Sequence, residues 1–383
     1  MVDLMSEEFG EFVENIKLID HHVHGTYRAD GDEVRFQNAL NEGNSGLLAQ
    51  PHESYDSQLG FAIRRWCTEP LGLGKHATAS DYWTRRAELG EGEISRLLLP
   101  KAGVSDWLVD TGFKSDEFLS PAEIATASGN AAHEVVRLEV LAEALIREIT
   151  SPSEYELAFA QKLSDLANTA IAAKTVLAYR GGFAQNLTKP TSRQVAAAAA
   201  SWQDTLSGTD NPRLTDITLI ASGIHAALSL KMPLQFHVGF GDRDLDLNLA
   251  NPSLLMPFLR TAEAAQSSIL LLHCYPYERE AGFLAQAFDN VYMDVGLALN
   301  FTGARSRDLI ARSLEMAPFT RILYSSDAFG PAELHYLGAR LWRNGMANVI
   351  GDWIDNDDWS LKDGRRVANL IGRHNAERVY SLN

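Results

Sequence analysis

The run IKLIDHHVHG, residues 16–25, decides how the chain is read. Its first half is aliphatic in the manner of a buried strand, and its second half crowds Asp20, His21, His22 and His24 where that strand ends. Residues two apart in an extended chain face the same way, so His22 and His24 can reach one ion together while His21 packs behind. Two imidazoles suit Zn²⁺, Mn²⁺ or Fe²⁺, but a catalytic site needs a third or fourth protein ligand with one position left for water. Alone, a His-x-His pair serves equally well as solvated surface groups. The rest of the chain has to supply the partners.

Seven further aliphatic runs follow, separated by helical patterns: 105–110 (SDWLVD), 134–139 (EVVRLE), 174–180 (KTVLAYR), 233–237 (PLQFH), 268–273 (SILLLH), 291–295 (VYMDV) and 321–327 (RILYSSD). Strands alternating with helices specify parallel βα units, and eight of them fit an α/β protein built as a (β/α)₈ TIM barrel. Most of the runs end on or near His, Asp, Glu or Arg. In such a barrel the carboxyl ends of the strands form the reactive face, which would bring His237, His273 and Asp327 beside His22 and His24. For any single strand, a polar ending is also what an ordinary strand-to-loop transition gives.

Helix starts support the division. Ser120-Pro-Ala-Glu123 and Ser151-Pro-Ser-Glu154 each place an N-cap serine, a proline and a glutamate in capping-box order. Between the first two strands lie about eighty residues, too many for a βα loop, with helical patches at 55–67 and 79–89. They are read as a helical insertion, 26–103, over the barrel mouth within a single domain, 1–383.

Composition narrows the function. With 45% hydrophobic and 22% charged residues the chain is an ordinary globular one, and its formal charge of −16 repels phosphate-rich polymers, so nucleic acid is not an expected partner. Cys67 and Cys274 are too few for a disulfide framework, and the acidic first twenty residues carry no signal-peptide pattern, which points to the cytoplasm. No stretch approaches the ~20 apolar residues that span a bilayer. A Walker A loop and a Gly-x-Ser-x-Gly elbow are both missing, against an NTPase or a serine hydrolase. The expected partner is a small-molecule substrate, and a homo-oligomer is the expected assembly.

Four segments together, IDHHVHG (19–25), FHVGFGDRDLDL (236–247), LLLHCYPY (270–277) and LYSSDAFGPAELHY (323–336), resemble the metal-dependent amidohydrolase superfamily, and within it the amidohydrolase-related branch that includes the amidohydrolase-like domain joined to glutamine synthetase. The resemblance implies a barrel holding one or two divalent ions. It places the first-strand motif on Asp20, His22 and His24, the fifth- and sixth-strand histidines on His237 and His273, and the eighth-strand aspartate on Asp327. Two-metal members bridge their ions with a carboxylated lysine or a glutamate. Lys174 opens the fourth run instead of closing it, about 20 Å from Arg180 at ~3.3 Å per residue, which argues for one ion unless that strand ends earlier. Zinc is the first choice, with Mn²⁺ and Fe²⁺ as alternatives.

The metal set is then His22, His24, His237 and Asp327. Asp327 would also be general base to a metal-activated water, and His273 either a further ligand or, preferred, a hydrogen-bond donor to the oxyanion. Tyr179 and Arg180, Glu139 at the end of the third run, and Asp242 are the substrate contacts, suited to a small acidic or zwitterionic metabolite with an amide-like C–N bond. A decarboxylating lyase and a barrel without turnover are the rival readings. Glu333 and His335 read as helix-surface groups or as supports of the site.

Overall fold

The computed structural model describes residues 3–43, 48–206 and 212–382. Seven parallel strands follow one another around a single sheet: β1 (Leu18–Val23), β2 (Val104–Asp110), β3 (Ala131–Arg137), β4 (Ala172–Thr175), β5 (Leu234–His237), β6 (Ile269–Leu272) and β7 (Val291–Met293). The expected eighth run is not a regular strand. Ile322 bridges Met293, and Leu323 donates to Met293 O at 2.9 Å, while His21 N donates to Tyr324 O at 3.2 Å and Asp327 N to His22 O at 3.1 Å. Segment 322–327 therefore joins both edges, and the architecture is α/β and TIM-barrel-like. Its ladder is broken because Ser326 N is captured by Asp20 Oδ1 (3.0 Å) and Ala328 N by Ser326 Oγ (3.2 Å).

The interior follows from the alternation of side chains along each strand. Ile19, Leu108, Val135, Ala172, Leu270, Tyr292 and Leu323 form one buried cluster with Ala376 and Tyr380 of the last helix. The Tyr380 hydroxyl contacts His21 Nδ1 and Gln235 Nε2, both at 2.9 Å, so the chain's end fills the interior beneath the reactive rim.

Two expected strands shift. The third begins at Ala131 and stops at Arg137, leaving Glu139 in the first turn of helix Leu138–Leu145. The fourth ends at Thr175 and gives way to a 3₁₀ turn, Leu177–Arg180. One carboxylate explains the second change: Glu139 accepts the Thr175 hydroxyl (2.5 Å) and Val176 N (3.0 Å), removing the donor that would extend the ladder. Lys174 is thus next to last in β4, and the separation that argued against it at the rim disappears. Among the caps, Ser120 forms its box with Glu123, whereas Ser151 makes no cap bond and pairs with Ser153 Oγ at 2.8 Å.

Between β1 and β2 run several helices, the longest Ala79–Leu98. That helix bends at Gly90, whose φ of 75° is open to glycine, and Asp30 Oδ1 accepts Glu91 N there at 2.7 Å. Buried Arg86 ties it to helix Ala332–Asp355 through Glu333 (2.8 Å) while also pairing with Glu91 (2.7 Å), and Tyr82 donates to Glu333 at 3.0 Å. Glu333 and His335 are consequently core groups and not surface ones.

Candidate metal centre

The carboxyl ends of the strands collect the predicted ligands on one rim. Beyond Asp20 the β1–β2 register slips, Asp20 pairing with Trp107 but Val23 with Val109, so one extra residue bulges in β1 and re-aims the histidines. The His22 and His24 rings stand edge to face, 5.3 Å apart. His24 is seated by its Nδ1 on Asp110 O (3.1 Å) and by its own carbonyl, which accepts His335 Nε2 (2.8 Å). Asp327 arrives from the eighth segment and lies 3.2 Å from His22 Nε2, 3.5 Å from His24 Nε2 and 3.4 Å from His273 Nε2. Ligand atoms of His22, His24 and Asp327 all fall within 4.8 Å of one another, and all three residues are buried. His237 lines the same cavity one ring away, its centroid 4.3 Å from that of His273.

Protonation suits a cation. Burial and Lys174 push His22 down to about 4, and burial pushes His24 down to about 3. Burial likewise lowers His273, and burial with His273 lowers His237. Asp327 is raised by burial, but its close contacts with His273 and His22, a hydrogen bond with His22 and the nearby Lys174 ammonium outweigh that and hold it well below the carboxylate range. Neutral imidazoles beside an ionised carboxylate are the forms that bind a divalent ion. Among the described residues, His237 Nε2 and His273 Nε2 are buried without hydrogen-bond partners, a cost of about 1–3 kcal/mol each that coordination would remove. The residues therefore fit a metal.

Residues 203–382 match the Amidohydrolase family model. Protein fluG of Emericella nidulans is 30% identical over 295 residues, which are 67% of this chain and 33% of fluG, so the chain spans about a third of that relative's length. A "putative metal-dependent hydrolase" from Lactobacillus casei ATCC 334 superposes with a TM-score of 0.82 at 26% identity over 97% of each chain. The chain belongs to the amidohydrolase superfamily. A uronate isomerase of Bacillus halodurans C-125, covering 100% of this chain and 97% of its own at a TM-score of 0.66 and 14% identity, shares the fold. Among the described residues the His22/His24/Asp327 cluster is a group that could hold a divalent ion.

In this amidohydrolase-superfamily chain the ligands open into a cavity of about 230 Å³. Tyr179, Arg180 and Asp242 line it, as the sequence suggests. Glu139 does not: it is pinned under the rim by Thr175 and Val176. The sequence does not single out Asp110, Arg137, Glu42 or Arg213, and it discounts Lys174 only by its place in the fourth run. Lys174 Nζ sits 2.8 Å from His22 Nε2 and 3.2 Å from Asp110 Oδ2. Asp110 also binds Arg137 at 2.6 Å and is held well below the carboxylate range, since Arg137 and Lys174 outweigh its burial. Asp110 and Lys174 carry the same strand-end signal as the histidines. Glu42 and Arg213 also line the cavity, from stretches where no periodicity marks them. Desolvation, with Asp327 and Asp242 nearby, pushes Glu42 up to about 8.

Proposed function

We propose that this chain is a hydrolase acting on an amide-like C–N bond of a small acidic or zwitterionic metabolite. Its working set would be His22, His24, His237 and Asp327 around one divalent ion, with zinc the first choice and Mn²⁺ or Fe²⁺ the alternatives. The observation that carries the reading is the gathering of His22, His24 and Asp327 within 4.8 Å of one another, with His24 and Asp327 lining a small cavity whose wall holds Arg137 and Arg180. A bound ion supplies Lewis acidity, polarising a carbonyl and bringing the pKa of water from ~15.7 toward ~7.

The residues do the rest. Asp327, ionised and facing the cavity, accepts the proton of the attacking water and returns it to the departing nitrogen. His273 gives its Nδ1 hydrogen to Val238 O (2.9 Å), so neutral His273 presents a bare Nε2 beside Asp327. That favours the ligand or acceptor role over the oxyanion donor. Tyr179 is the better donor: burial and the nearby Glu42 and Asp242 keep its phenol protonated, and its ring lies 4.6 Å from His237. Arg180 and Asp242 serve the charged ends of the substrate. Helices of residues 26–103, read as an insertion in a single domain 1–383, would keep bulk water from the mouth.

A second reading has its own observation. Lys174 at 2.8 Å from His22 Nε2 places an amine where carboxylation would let it bridge two ions. Metal stoichiometry separates one ion from two. Function is tested by incubating metal-loaded protein with γ-glutamyl amides, N-acyl amino acids and aromatic carboxylates. Amine or ammonia release is expected. Carbon dioxide from the aromatic acids would instead establish a lyase, and no product from any of them with metal bound would leave a barrel without turnover.

A further inference from the structure

We propose that Arg180 and Arg213 form a clamp for a carboxylate remote from the bond that reacts, and that the aromatic wall of the cavity selects an apolar substrate body. This rests on the cavity being the substrate site, not on which bond is cleaved there.

Arg180 Nη1 and Arg213 Nη2 converge on the one carbonyl of Tyr179, at 3.5 and 3.4 Å, so the two guanidiniums are neighbours. Among the described residues neither is matched by a close carboxylate. The ion pair of Arg180 is Glu143 at 3.7 Å, and that of Arg213 is Asp244 at 3.9 Å. The Arg180 side chain is only 11% exposed, and its Nε is buried without a hydrogen-bond partner among the described residues. Arg137 lines the same cavity but is already taken by Asp110. Burial and the adjacent Arg213 also hold Arg180 below the usual guanidinium range, as expected of paired cations short of an anion. A carboxylate seated between two guanidiniums would meet both forks with charge-assisted hydrogen bonds.

The same tyrosine sets the distance. Tyr179 packs its ring on His237 and offers its carbonyl to both arginines, so the clamp lies one tyrosyl side chain from the metal ligands. Lining the same cavity, Phe113 and Phe329 pack edge to face at 6.0 Å with Leu297 also in its wall, and Phe113 touches His24 at 5.3 Å between ring centroids. A ligand with its carbonyl at the ligand cluster, its carboxylate on the clamp and its body on the phenyl rings is an N-acyl amino acid with an aromatic or branched acyl group.

Calorimetric titration of the full chain with hippurate, its neutral amide and N-acetylglycine tests this. Hippurate is expected to bind at least about tenfold more tightly than either of the others. Arg213→Met, at a side chain 51% exposed, should erase most of the preference over the amide without disturbing the fold, and Arg180→Met should do the same with near-UV circular dichroism unchanged. Equal affinity for hippurate and its amide, a preference surviving in both variants, or no measurable hippurate binding overturns the clamp. Affinity for N-acetylglycine equal to that for hippurate overturns the aromatic wall. Benzoate release from hippurate is scored separately: tight binding without release leaves the clamp standing and removes amide hydrolysis for that substrate.

Discussion

Replacing His24 by alanine tests the metal centre most directly. His24 faces Asp327 at 3.5 Å through Nε2 and is fixed from behind by Asp110 O, so alanine removes one ligand and its support together. Zinc held by four protein ligands is bound by about 10–16 kcal/mol, or roughly 2.5–4 kcal/mol per ligand. At 1.4 kcal/mol per factor of ten, His24→Ala should raise the metal Kd by about 10²–10³-fold. Asp110→Asn keeps the backbone acceptor but removes the charge that balances Arg137 and Lys174, and should weaken metal by about 10–100-fold. His273→Ala should weaken it as a ligand loss would, because a bare Nε2 is what that ring presents. His225, buried on Leu187 O, is the control whose alanine variant should leave metal binding alone. Competition with a chromophoric chelator gives the constants, and elemental analysis gives the stoichiometry. Native affinity in a folded His24→Ala protein would refute the assignment of this cluster as the ion's site.

Three other outcomes follow from particular contacts. Arg86→Met strands Glu91 and Glu333, both buried, and should cost about 3–5 kcal/mol in urea unfolding; native stability would show that the network between the two long helices contributes nothing. Gly241→Ala would set a methyl 2.0 Å from the Tyr179 hydroxyl and 2.9 Å from His237 Nε2, so turnover and metal affinity should fall while the thermal midpoint stays near native, and unaltered turnover would contradict the packing described. Bonds from Arg28 and Ser120 depress Glu123 to about 2, below its unfolded value of ~4.3, so its contribution is present above pH ~4.3 and is lost as pH falls toward 2. At a side chain 41% exposed it amounts to no more than about 1 kcal/mol, and Glu123→Gln should flatten that part of the acid limb in pH-dependent unfolding.

Much of the site was legible because its side chains close strands. His22, His24, His237, His273 and Asp327 each terminate an aliphatic run, and hydrophobic period plus polar ending suffices to place them on one rim. Strand limits were not legible where a side chain competes for the backbone. Glu139 ends β4 from a different helix by taking the Val176 amide, a contact no window of sequence contains, and this moved Lys174 from the wrong end of a run into the centre. Arg213 and Glu42 were hidden for another reason: each reaches the cavity from a stretch without periodicity, and what selects it is three-dimensional charge balance.

The same competition gives the rim its chemistry. His273 (φ 41°) and Asp327 (φ 44°) both occupy the left-handed region, unfavourable by roughly 1–2 kcal/mol for residues with a Cβ, and both sit where a strand leaves the ladder. Two buried carboxylates hold them there. Asp294 accepts His273 N (2.9 Å), Gly296 N (2.7 Å) and the Ser325 hydroxyl (2.7 Å), while Asp20 accepts Ser326 N (3.0 Å) and the Ser326 hydroxyl (2.5 Å). Each diverts amides from the sheet and turns the next side chain toward the cavity, so the irregularity that denies segment 322–327 a regular strand is also what aims Asp327. Asp20 therefore acts here as a clamp on the opposing segment and not as a ligand. It follows that the spacing Asp20-x-His22-x-His24 combines two functions on one strand end: the histidines meet the ion, and the aspartate positions the carboxylate that faces them.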